Sequence, residues 1–132
     1  MRSAVILLLL VSGWASALTL SPMRVDSLVY QDLHIARFLL ENTSRNVTYY
    51  DVWISTREDL SPSKGMYRGE EVLGGGDYRS ITVPIDHIEA DKLGVYYICV
   101  QEKQESTGIG AVGRVCAKLR LYWPRAELHE LQ

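Results

Sequence analysis

Cys99 and Cys116 are the two cysteines of this sequence, and their spacing points to one chemistry, an intramolecular disulfide. Each lies in a strand-like run, Val95 to Gln101 and Val115 to Trp123, and both runs point into the short loop between them. If the runs pair as a hairpin with Cys99 facing Cys116, the numbers of facing residues sum to a constant. The turn then falls at Thr107-Gly108, where glycine suits a tight reversal. The same register sets Val100 against Val115, Ile98 against Ala117 and Tyr96 against Leu119 as one apolar face. Tyr97, Arg114, Lys118 and Arg120 gather on the other face with the cysteines. Facing residues of a non-hydrogen-bonded antiparallel pair lie about 4.5 Å apart at Cα, within disulfide reach. A bridge closing so short a loop contributes about 3 kcal/mol in the chain-entropy description. Two free thiols are the alternative.

Other chemistry-bearing patterns lack their context. Gly108-Ile109-Gly110-Ala111-Val112-Gly113 matches the dinucleotide fingerprint, which needs its first glycine directly after a strand and a helix behind it. Here the polar stretch Glu102 to Thr107 precedes it, and Val115 to Leu121 alternates as a strand does. A hairpin arm is the expectation. Gly74-Gly75-Gly76 lacks the Lys-Ser/Thr of a phosphate loop. His34, His87 and His129 are far apart, without metal-ligand spacing, and Asp86-His87 reads as a turn after Pro84. No G-x-S-x-G elbow is present. Asn42-Thr43-Ser44 and Asn46-Val47-Thr48 fit the glycosylation pattern, which matters only in a eukaryotic secretory host and otherwise reads as turn chemistry. The expectation is a non-enzyme with no catalytic residue, metal or cofactor.

The elements that would hold these residues are strands. The chain has 132 residues with 14 Lys+Arg against 16 Asp+Glu, a formal net charge of -2. That length suits one domain, and the balance argues against a nucleic-acid partner. Eight Tyr and three Trp against one Phe lean towards β structure. Met1-Arg2-Ser3, the apolar run Ala4 to Val11 and Ala15-Ser16-Ala17 form the three regions of a signal peptide. Cleavage after Ala17 is expected, leaving Leu18 first, in a disulfide-permissive compartment and without membrane insertion. The uncharged stretch is short of the about 20 residues a spanning helix needs.

In the mature chain, Leu18 to Val25 reads as a strand in which Pro22 is tolerable near an edge or bulge. Ile35 to Leu40, Val47 to Ser55, Ser80 to Ile85 and the two cysteine-bearing runs follow as further strands. Val47 to Ser55 alternates, with Tyr49, Asp51 and Trp53 on one side and Tyr50, Val52 and Ile54 on the other. Asp59 to Gly76 is mostly loop, with room for one short strand. Several short strands with turn signals between them indicate an antiparallel sandwich. Asp91 to Cys99 resembles the D-x-G-x-Y-x-C signature of antibody-like variable domains. Those domains need an earlier partner cysteine, and this chain has none.

The order of the pieces resembles the N-terminal domain of the periplasmic pilus-assembly chaperones, the PapD-like family. The matching segments are Leu20-Ser21-Pro22-Met23-Arg24-Val25, Leu40-Glu41-Asn42-Thr43-Ser44 and Val52-Trp53-Ile54. They continue with Leu73 to Ile81, Tyr96-Tyr97-Ile98-Cys99-Val100 and Cys116 to Pro124. The resemblance covers nearly the whole mature chain. Some members of that family carry a disulfide between the same last two strands.

The resemblance implies that Arg24 on the first strand and a cation on the last hold the C-terminal carboxylate of a pilus or fimbrial subunit. Alignment on the cysteine selects Lys118 as the second cation, while counting back from Pro124 falls nearer Arg120. Two cations converging on one carboxylate make strong charge-assisted hydrogen bonds; ordinary solvated charge is the other reading of these three residues. The resemblance also implies strand addition to a subunit along Ile109, Ala111, Gly113 and Val115. This chain departs from the family there, because only Ile109 among the first three is large and the glycines weaken a donor strand. A change of phase between Val112 and Val115 suggests a bulge near Gly113. Family chaperones have a second sandwich domain after the proline; this chain stops at Gln132, so a partner would have to complete the cleft.

The expectation is therefore an all-β, immunoglobulin-like antiparallel β-sandwich of about seven strands. Residues 1–17 are expected as signal peptide, 18–124 as the domain and 125–132 as a tail. Its role is that of a periplasmic chaperone or assembly factor for fimbrial subunits. A secreted immunoglobulin-like interaction module of a surface assembly, without chaperone activity, is the alternative.

Overall fold

The computed structural model of the chain describes residues 18–103 and 113–125. Its strands are β1 (Leu18–Ser21), β2 (Arg24–Leu28), β3 (His34–Asn42), β4 (Thr48–Ser55), β5 (Arg68–Leu73), β6 (Tyr78–Ile85), β7 (Leu93–Glu102) and β8 (Arg114–Tyr122). A three-stranded sheet runs β1-β3-β6, and a five-stranded sheet runs β2-β8-β7-β4-β5. Alternation in the sequence becomes alternation in burial because successive side chains of a strand point to opposite faces. Ala36, Phe38 and Leu40 of β3 and Ile81, Val83 and Ile85 of β6 meet Tyr50, Val52 and Ile54 of β4 in one core, joined by Ile98, Val100, Ala117, Leu119 and Leu121. Each buried Val, Leu, Ile or Phe side chain among these contributes about 1.5–3 kcal/mol by leaving water.

The first expected strand is two. Proline cannot donate to a ladder, and at Pro22, whose bond to Ser21 is cis, the chain leaves one sheet for the other. β1 pairs antiparallel with β3, Leu20 facing Leu40, whereas β2 pairs parallel with β8. This division accounts for eight strands where about seven were expected. The β7–β8 hairpin has the expected register, with Cys99 facing Cys116, Ile98 facing Ala117 and Tyr96 facing Leu119. The cysteines are joined as a disulfide with a Cα–Cα separation of 4.0 Å. No bulge interrupts it in the described residues: Gln101 faces Arg114 and the Glu102 amide donates to Gly113 O at 3.1 Å. The turn expected at Thr107-Gly108 lies outside the described residues.

Two features fix the loops. Asn42 is fully buried, and its amide Nδ2 donates to the carbonyls of Asn46 (2.8 Å), Leu73 (3.1 Å) and Gly74 (3.1 Å). Its Oδ1 accepts from the Ser44 amide and hydroxyl. One side chain thus ties the β3–β4 turn to the β5–β6 turn, and its burial leaves no access for a glycan. In the second turn Gly75 lies against the neighbouring turn, where a Cβ would sit 2.3 Å from Arg45 O. At the other end, the loop from Thr56 folds back over the outer face of the larger sheet. Trp53, on the side of β4 that carries Tyr49 and Asp51, is buried there, its indole N–H donating to Leu60 O at 2.9 Å.

Candidate functional site

The parallel pairing of β2 with β8 brings together charges that are distant in sequence. Arg24 faces Lys118, Asp26 faces Arg120 and Leu28 faces Tyr122, and β8 in turn sets Lys118 beside Tyr97, Arg120 beside Val95 and Tyr122 beside Leu93. Neighbouring strands are about 4.8 Å apart and facing residues share a face. The outer face of the larger sheet therefore carries three successive rows: Arg24–Lys118–Tyr97, Asp26–Arg120–Val95 and Leu28–Tyr122–Leu93. The last row is apolar, with Leu28 and Leu93 exposed. Leu28, Tyr122 and Leu93, with Asp26, Ser27 and Arg120, line a hollow of about 220 Å³.

The ion pairing within these rows is uneven. Asp26 Oδ2 lies 3.5 Å from Arg24 Nε and Asp26 Oδ1 lies 3.3 Å from Arg120 Nε. Among the described residues, no carboxylate lies within 4.0 Å of the Lys118 amine. Lys103, by contrast, is paired with Glu70, which holds its ammonium above the usual lysine range.

Backbone groups are also left open here. β2 covers β8 only from Lys118 to Tyr122, so Arg114 to Ala117 has no neighbouring strand on that side among the described residues. The Lys118 amide donates to Met23 O at 2.8 Å, which points it towards β2. Alternation then aims the N–H and C=O of Cys116 and Arg114 out of the same edge.

Of the residues singled out in the sequence, Arg24 and Lys118 are brought face to face, and Arg120 lies one row on, opposite Asp26. Val115 already packs against the chain's own core, and Gly113 continues the β7–β8 ladder through its carbonyl. Ile109 and Ala111 lie outside the described residues, as do His129 and the first seventeen. No group of three or more His, Cys, Asp or Glu that could hold a metal occurs among the described residues. Burial pushes the His34 imidazole below its ordinary value, while His87 sits in the left-handed region beside Asp86. Asp26 is the residue the sequence reading missed. Its signal was its place two residues after Arg24, on the same face of a strand.

The sequence matches no protein-family model and no curated protein. The fold does have counterparts among solved structures. The chaperone DraB of E. coli superposes with a TM-score of 0.60 at 15% identity, over 81% of this chain and 55% of that one. The periplasmic chaperone SfaE gives 0.58 at 14% identity, over 82% and 58%. A structure of the Salmonella enterica SafA pilin in complex with the SafB chaperone gives 0.59 at 15% identity, over 83% and 55%. The chain thus spans a little over half the length of the chains it matches. Its fold is that of the immunoglobulin-like domain of the PapD-like pilus chaperones.

Proposed function

We propose that this chain is a periplasmic chaperone or assembly factor for pilus or fimbrial subunits. In this reading residues 1–17 direct export and are removed, and residues 18–124 form the working domain. A subunit strand adds to the open edge of β8 at Arg114–Ala117 and into the segment before it, which contains Ile109 and Ala111. The observation that carries the reading is the coincidence of that open edge with the Arg24–Lys118 row at its end. β2 occupies the same side of β8 further along, and an added strand would end where β2 begins. For a terminal carboxylate to arrive at Arg24 and Lys118, the added strand must run parallel to β8, as β2 does. The two cations then hold the carboxylate by charge-assisted hydrogen bonds, while main-chain bonds to Arg114 and Cys116 supply affinity with little dependence on sequence. Lys118, facing Arg24, takes the second anchoring position; Arg120 has Asp26 as its partner. The DraB, SfaE and SafB likenesses support the chaperone role through the fold, and the mechanism needs no cofactor or catalytic group.

The test is purification of the tagged mature chain from the periplasm of its host, with mass spectrometry of what co-elutes. The chaperone reading expects a stoichiometric small β-rich subunit, lost with Arg24→Ala or Lys118→Ala while the fold is intact. An unchanged yield of complex from both variants would remove the anchor. The apolar row Leu28–Tyr122–Leu93, exposed at Leu28 and Leu93, favours a second reading, an immunoglobulin-like interaction module of a surface assembly without chaperone activity. A clean monomer or homodimer in the same experiment would select it.

A further inference from the structure

We propose that Asp26 is the built-in counter-ion of the Arg24–Lys118 anchor, holding Arg24 in the free chain and limiting how tightly a terminal carboxylate is bound. This rests on the reading of Arg24 and Lys118 as a carboxylate anchor. One carboxylate is divided between two guanidiniums: Oδ2 is 3.5 Å from Arg24 Nε and Oδ1 is 3.3 Å from Arg120 Nε. The side chains of Arg24 and Asp26 are 59% and 56% exposed, so water screens their pair and it exchanges readily, whereas the Arg120 Nε that faces Asp26 is buried. An arriving carboxylate therefore displaces Asp26 from Arg24, and Asp26 stays on Arg120. Lys118, which faces Arg24 across the strands, completes the site.

Asp26 also opposes what it makes room for. It lies two residues along β2 from Arg24, about 7 Å at the strand rise, so a carboxylate bound to Arg24 and Lys118 sits about that far from a like charge. At an effective dielectric between that of water and half of it, the repulsion weakens binding about three- to sevenfold. That suits a protein that must hold a partner and then hand it on.

The experiment uses the exported full-length chain and a fluorescently labelled twelve-residue peptide of alternating valine and threonine, made as the free acid and as the C-terminal amide. Binding is followed by anisotropy for the wild type, Asp26→Asn and Asp26→Glu. The wild type is expected to prefer the acid. Asp26→Asn should bind the acid about three- to sevenfold more tightly with the amide unchanged, and Asp26→Glu should keep the wild-type affinity. If the wild type prefers the acid but Asp26→Asn binds it no more tightly, or tightens on the amide equally, the counter-ion role is overturned and the anchor stands. A wild type that binds acid and amide equally overturns both.

Discussion

Replacing Asn42 by alanine removes a side chain that makes five hydrogen bonds from a buried position. Its Nδ2 serves the carbonyls of Asn46, Leu73 and Gly74, and its Oδ1 serves the amide and hydroxyl of Ser44. The bond to Leu73 O is fully buried, so its loss leaves an acceptor that water does not reach. A hydrogen bond contributes about 1 kcal/mol net, and a buried group left unpaired costs about 1–3 kcal/mol. The Asn46 and Ser44 partners are closer to solvent and recover most of theirs. The expected loss is about 3 kcal/mol, which at an m-value of about 1.5 kcal/mol/M lowers the urea midpoint by about 2 M. Asn42→Asp keeps the shape but turns a donor into an acceptor facing three carbonyls. It should cost more than alanine at neutral pH and recover part of the loss in acid, where the carboxyl regains a proton to donate. Urea unfolding followed by tryptophan fluorescence measures all three proteins. An Asn42→Ala midpoint within about 0.3 M of wild type, or an Asn42→Asp protein as stable as wild type, would refute the assignment of this side chain as the tie between the two turns.

Further expectations concern the hairpin, the second turn and pH. The Cys99–Cys116 bridge closes a 17-residue separation; replacing both cysteines by alanine should cost about 3 kcal/mol, and the oxidised protein should show no alkylatable thiol in denaturant without reductant. Gly75→Ala should destabilise by about 1–3 kcal/mol, because its Cβ meets the backbone of Arg45 at 2.3 Å rather than a side chain that can move; thermal unfolding checks it. Desolvation holds His34 below its ordinary value of 6.5, so the unfolded chain takes up that proton first. Its contribution to stability is complete above about pH 6.5 and is lost as pH falls below it. His34→Gln should flatten that part of the stability–pH curve.

The parts of this molecule that could be read in the sequence are those governed by local pattern. The alternation of Tyr50, Val52 and Ile54 against Tyr49, Asp51 and Trp53 separates the two faces of β4, and the structure puts the first set in the core. The two cysteines, with apolar partners on both sides, give the β7–β8 register residue by residue. Long-range placement was not legible. Pro22 announces an interruption, but that the chain changes sheets there depends on which strands lie at both edges. Trp53 shares its side of β4 with Tyr49 and Asp51, and its burial comes from the loop after Thr56 that returns to cover it. Asn42 reads as turn chemistry, yet its partners Leu73 and Gly74 are about thirty residues away in the chain. Arg24 could be singled out beside either Lys118 or Arg120; only the parallel β2–β8 register pairs it with Lys118 and gives Arg120 to Asp26.

The central claim is that a partner strand completes the edge of β8, and backbone exchange at that edge tests it most directly. The amides of Arg114 and Cys116 point out of the sheet on the side that β2 leaves uncovered, whereas that of Lys118 is bonded to Met23 O. Hydrogen–deuterium exchange resolved to single residues should find Arg114 and Cys116 exchanging fast in the free chain and strongly protected in the complex with a subunit. Exchange along the distant edge strand β6 should be unchanged. A stable complex in which Arg114 and Cys116 exchange as fast as in the free chain would contradict strand addition and move the interface elsewhere.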